Sequence, residues 1–175
     1  TICPAGCLVQ LYINNANWGV YSMVQQQDGR LVKEYCPSSD GDRWRAPNMA
    51  GGPGGPGGGQ TGASAFGYLG NTNVTTYQKY YELKSDYHTN AWPRLVQAIC
   101  VLNNTASAQL RSRLEDAFAV DRWLWFLAIE NVFADDDSYW NKGADYMFYY
   151  EPESGRMHPV EHDGNEAFVA LDSSL

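Results

Sequence analysis

The stretch from Asp135 to Phe168 reads DDDSYWNKGADYMFYYEPESGRMHPVEHDGNEAF, and its acids fall on either side of one aromatic hairpin-like segment. Asp135, Asp136 and Asp137 precede it, Asp145 abuts it, and Asp163 follows it directly before Gly164. Carboxylates gathered in this way repel one another unless a divalent cation sits between them. Mg²⁺ takes one or two carboxylates together with phosphate oxygens and water, so the pattern suits a metal held against a phosphate group. A hairpin between the two sets of acids can deliver both to the same end of a domain.

The elements that must position these acids follow from local pattern. CLVQLYINNANWGVYSMVQQQD has two apolar, β-prone runs around NNANWG, with a Gly to take a positive φ, which predicts an N-terminal β-hairpin. GGPGGPGGG, within a Gly/Pro-rich segment at 51–62, cannot pack a core and lacks the Gly-Lys-Ser/Thr ending of a phosphate loop, so it reads as an irregular loop or linker. YYELKSD offers a short strand. NAWPRLVQAICVLNN predicts a helix with Asn90 as N-cap, Pro93 in the first turn, and Leu95, Ile99 and Leu102 on one face. ASAQLRSRLEDAF repeats that spacing with Leu110, Leu114 and Phe118. DRWLWFLAIENVFA, capped by Asp121 and nearly apolar all round, predicts a central helix with Trp123, Trp125 and Phe126 in the core. YMFYYEP and RMHPVEHD then form two strands around ESG, with Pro159 placing the second at an edge or a strand end.

Composition narrows the function classes. The 175 residues, 44% of them hydrophobic, suffice for one core. A formal net charge of −8 argues against nucleic-acid binding, which needs a cationic surface. No run approaches the ~20 apolar residues that span a bilayer, and the N-terminus lacks a basic-then-apolar leader, so the chain is expected to be soluble. Cys3, Cys7, Cys36 and Cys100 are read either as one or two disulfides or as simple thiols, with zinc disfavoured for want of a second ligand pair. The sequons at Asn73 and Asn103 point weakly to export. His88, His158 and His162 are widely spread, without metalloprotease spacing, and read as packing or surface residues; His162, beside Asp163, is the one to mutate.

The order helix, acidic loop, hairpin, Asp-Gly is the order in which protein kinases place a catalytic Asp, a metal-binding Asn and a second metal-binding Asp. LYINNANWGVYSMVQQQD, YELKSD, VDRWLWFLAIENVFADDDSY and DYMFYYEPESGRMHPVEHDGNEAF together resemble the CotH kinase family of atypical, secreted-type protein kinases named for a spore-coat protein. The resemblance implies an α+β, atypical protein-kinase-like fold with an N-terminal β-hairpin, central helices and a C-terminal β-hairpin carrying the metal-binding Asp. It implies ATP with Mg²⁺ or Mn²⁺ as cofactors, Ser or Thr of proteins as substrate, and a secreted, cell-surface or spore-coat setting. Family domains are longer, so residues 1–175 are read as a single domain incomplete at both ends.

Transferred onto this chain, the resemblance makes Asp137 the catalytic base, with Asp136 as the alternative, and Asp163 a metal ligand. The second ligand is Asn141 or Asp145. Arg45 stands nearest the place of the family's Lys, with Lys84 as a second phosphate or ion-pair partner, while Gln25 stands where the family carries Glu. Arg grips phosphate as a fork but is no neutral exchange for Lys. Two other classes remain open: a pseudokinase or structural coat or surface protein keeping the fold, and a surface module in which Asp135, Asp137 and Asn141 bind Ca²⁺. The second lacks the Gly and Glu that an EF-hand loop requires.

Overall fold

The computed structural model describes residues 1–47, 64–85, 90–135 and 137–168. The whole Gly/Pro-rich segment at 51–62, His88 and Asp136 lie outside the described residues. Two sheets flank a set of helices in an α+β arrangement. Strands β1 (Gly6–Ile13) and β2 (Ala16–Val24) form the expected N-terminal hairpin. Its tight turn is made by Asn14 and Asn15, at φ of 50° and 64°, and not by the glycine. Asparagine tolerates the left-handed region because its short polar side chain bonds locally. Gly19, at φ 101°, sits instead at a bulge, where Leu11 pairs Gly19 but Tyr12 pairs Asn17.

Helix α1 (Gly29–Tyr35) follows, with Asp28 capping the amides of Arg30 and Leu31. Strand β3 (Arg43–Ala46), the short helix α2 (Val74–Tyr77) and strand β4 (Glu82–Leu83) lead into three helices: α3 (Ala91–Asn104), α4 (Ser107–Ala117) and α5 (Val120–Phe133). Strands β5 (Tyr146–Glu151) and β6 (Arg156–Val160) complete an antiparallel sheet of order β4-β3-β5-β6. Pro159 therefore lies on an edge strand, as expected of a residue that cannot donate to the ladder.

Strand β5 is rich in aromatics because both its faces are buried. Successive side chains point to opposite faces. Tyr146 and Phe148 enter a core with Trp44, Phe66, Leu95, Ile99, Trp123 and Phe126, while Met147 and Tyr149 pack with Ile2, Leu31, Val32 and Val160 on the other face. Trp44 stacks on Phe148 at 5.2 Å, and Phe66 meets Phe118 and Trp123 edge-on.

Helix α5 departs from expectation. Its cap is Ala119, whose amide donates to the Met157 carbonyl of β6, so the helix starts at Val120 and Asp121 lies inside the first turn, where it still favours the positive end of the helix dipole. Only Trp123, Phe126 and Glu130 of this helix are buried. Trp125, expected in the core, is 66% exposed. α5 is thus a covering helix with one inward face. α4 buries no residue, and Phe118 lies just beyond it, in an extended backbone bridged to Met157. Asn90 precedes α3 without a side-chain cap bond. The four cysteines are free thiols: Cys3 and Cys7 exposed, Cys36 buried, Cys100 half-buried. No helix among the described residues is long and apolar enough to cross a membrane.

Candidate metal centre

Two backbone turns deliver the first carboxylates. Asp145 ends the loop before β5 and Asp163 follows β6, so the β5–β6 hairpin brings both to one end of the sheet. Each is held at positive φ, 46° for Asp145 and 60° for Asp163. Non-glycine residues rarely stay there unless their surroundings fix them, and such positions gather at functional sites. Asp145, His162 and Asp163 each offer one ligand atom, and these atoms all lie within 4.8 Å of one another. Asp145 is buried, His162 half-buried and Asp163 exposed, so the set opens outward.

Arg45 of β3 and Lys84, just past β4, lie near this set. Arg45 Nη2 donates to Asp145 Oδ1 at 3.3 Å. Burial, and then the Arg45 charge, lower the pKa of His162, and the Lys84 charge acts in the same direction. Lys84 itself pairs with Glu82 at 2.6 Å on the exposed strand edge. Gln25 bridges the base of the hairpin to α1, accepting from the Ala5 amide and donating to Glu34 Oε1 at 2.7 Å.

His162 is oriented from the far end of the chain. Gln27 Nε2 donates to the Glu161 carbonyl at 2.6 Å, which turns Gln27 Oε1 toward His162 Nδ1 at 2.7 Å. A carbonyl can only accept, so the amide has one workable orientation, and Nδ1 carries the imidazole proton. Nε2 then bears the lone pair. It is buried and has no hydrogen-bond partner among the described residues.

The acidic loop lies against the same end. Asp137 Oδ1 forms an ion pair with Lys142 Nζ at 3.1 Å, and Lys142 also reaches Glu166, three residues past Asp163, at 4.0 Å. The Asp137 amide donates to Asp135 Oδ1 at 3.2 Å. A methyl at Gly164 would meet Asp135 Oδ2 and Glu161 Oε1 at 3.7 Å, so the loop and the segment after β6 are in contact. Asn141 falls in the turn before Lys142. The structure therefore groups Asp145 and Asp163 with His162, sets Arg45 on Asp145, and holds Asp137 on Lys142 beside that group.

Behind the loop stand two acids that the sequence reading passed over, Glu130 and Glu161. Burial and the Glu161 charge push Glu130 up to about 8, despite amide donors from Trp140 and Tyr139. Burial and Asp135 push Glu161 up to about 7. Asp135 is raised by burial and by Asp137, Glu166 and Asp163. Mutually raised carboxyls mark a region of accumulated negative charge, which a cation would relieve. The signal for His162 was its place beside Asp163; for Gln27, whose partner lies 135 residues away, sequence carried none.

The donor set fits a divalent metal: two carboxylates and a neutral imidazole nitrogen, with an open side for phosphate oxygens and water. The family model described as CotH kinase protein matches residues 3–173. Comparison with curated proteins gave no match.

Proposed function

The chain belongs to the CotH kinase protein family, and from that premise we propose that it is an atypical protein kinase, moving the γ-phosphoryl group of ATP to Ser or Thr hydroxyls of protein substrates with a divalent cation. The observation that carries the reading is the meeting of Asp145, His162 and Asp163 at the end of the hairpin, with Arg45 beside them. When bound, the cation would neutralise the triphosphate and the charge that develops on transfer.

The chain's own residues divide the remaining work. Asp163 and Asp145 would hold the cation, with Asn141 as a further oxygen donor from the preceding turn. Arg45 and Lys84 would hold phosphate oxygens; Arg45 can do so by turning from Asp145 once a metal shares that carboxylate. Asp137 would take the proton of the attacking hydroxyl as its oxygen bonds to phosphorus and the bond from phosphorus to the ADP β-oxygen breaks. Lys142 would steady Asp137 through its ion pair. The family's name favours an exported or spore-coat setting.

Incubation with γ-labelled ATP, Mg²⁺ or Mn²⁺ and Ser-containing peptides should label peptide in a metal-dependent way. Metal-nucleotide binding without transfer, in wild type and Asp137→Ala alike, would replace this reading with a pseudokinase. Gln25 and Arg45, which depart from the family's Glu and Lys, would then be marks of lost catalysis.

A further inference from the structure

We propose that His162 is a metal ligand through Nε2, that Gln27 is the positioning residue that sets its tautomer, and that the centre consequently prefers Mn²⁺ to Mg²⁺. The inference deepens the kinase reading and rests on its metal site.

The argument begins with the proton on the ring. Gln27 is held at both ends of its amide, by the Glu161 carbonyl and by His162 Nδ1. This is the arrangement by which a metal-bound histidine is ordinarily steadied: one nitrogen donates to a neighbouring oxygen, and the other, deprotonated, faces the ion. The buried Nε2 has no hydrogen-bond partner among the described residues, and leaving a buried polar atom unpaired is costly. The ligand atoms of Asp145 and Asp163 lie within reach of the same ring. A cation between the three uses the lone pair that nothing else uses.

Metal choice follows from the donors. Mg²⁺ is small and hard, binds through oxygen and parts reluctantly with its water, so replacing a water by imidazole gains it little. Mn²⁺ accepts the same carboxylates yet also takes imidazole nitrogen, and it leaves positions for phosphate oxygens. An all-oxygen centre would make less distinction between them. Gln27 lies between β2 and α1, so the N-terminal segment, through this one amide, tunes the metal at the opposite end of the chain.

The test is metal binding by the whole chain without nucleotide. Titration with Mn²⁺ followed by EPR, and Mg²⁺ competition against it, should show Mn²⁺ favoured by at least about tenfold. His162→Ala should lower Mn²⁺ affinity by about 10- to 100-fold while changing Mg²⁺ little, and Gln27→Leu should cost Mn²⁺ about tenfold. Pulsed EPR of Mn²⁺ on the unmutated chain should show the nitrogen coupling of a bound imidazole, a readout that does not depend on any variant folding. Absence of that coupling, an unchanged Mn²⁺/Mg²⁺ ratio in a folded His162→Ala chain, or no Mn²⁺ binding at all overturns the assignment. Peptide phosphorylation measured alongside separates the two ideas: transfer without imidazole coupling sinks the ligand assignment alone, and coupling without transfer sinks the kinase reading alone.

Discussion

At the scale of single residues, Asp163 and Asp137 make different demands on chemistry, and their variants should separate. Asp163 sits in the cluster of possible ligands, so Asp163→Ala should abolish metal-dependent ATP binding in calorimetry, a loss of more than about 100-fold. Asp137 stands beside that cluster on Lys142, so Asp137→Ala should spare most nucleotide binding and reduce transfer by about 10²- to 10⁴-fold, the range of a lost general base. Identical phenotypes would remove the division of roles. Asp145→Asn should be the mildest of the three, within about tenfold of wild type for metal affinity, because an amide oxygen replaces a carboxylate oxygen as ligand. It also releases Arg45 from its ion pair, so phosphate contacts should persist. A metal-dead Asp145→Asn would show that the negative charge, and not the oxygen, is what the centre needs.

At the scale of elements, α5 offers a controlled comparison between two tryptophans two positions apart. Trp123 packs among Phe66, Phe118 and Phe126, and its Nε1 donates to the Met157 carbonyl at 3.0 Å. Trp123→Ala should cost about 3–5 kcal/mol, as core aromatics do. Trp125→Ser, on the outer face, should stay within about 0.5 kcal/mol in denaturant titration. A large loss at Trp125 would mean that the outer face is covered by some other part of the protein. The pair also shows where sequence reading stops. Both hairpins were legible, because alternation and turn residues act over a few positions. The burial of α5 was not: a segment apolar on every side has no periodicity to say which side faces inward, and tertiary packing on β6 made the choice. The N-terminal turn was placed correctly and attributed to the wrong residue, since a glycine marks a positive φ without saying whether turn or bulge requires it. In the site, Asp145 and Asp163 were legible through their place around an aromatic strand. The Gln27–His162 bond was not, because no local rule links positions so far apart.

Across the whole molecule, buried titratable groups set opposing slopes of stability with pH. His158 is held at about 4 by burial and by Arg122, which lies 3.1 Å from its Nδ1. Its folded form resists protonation, so the unfolded chain binds more protons between pH 4 and 6.5, and this contribution is lost as pH falls through that window. Glu130, at about 8, and Glu161, at about 7, act the other way. Their folded forms keep protons that the unfolded chain has released above about 4.5, so stability contributed there is lost as pH rises towards 8. Glu130→Gln keeps an oxygen for the Trp140 amide and cannot ionise. Relative to wild type it should gain on the order of 2 kcal/mol at pH 8.5 and almost nothing at pH 4.5, read from urea midpoints at the two pH values. Mn²⁺ should achieve part of the same effect in the unmutated chain, because a cation at Asp145, His162 and Asp163 offsets the neighbouring negative charge most when the acids are ionised. Metal stabilisation should therefore grow from pH 5.5 to 8.5 in wild type and grow less in Glu130→Gln. Equal growth in the two chains would uncouple Glu130 from the metal centre and leave only the competition of protons for the ligands themselves.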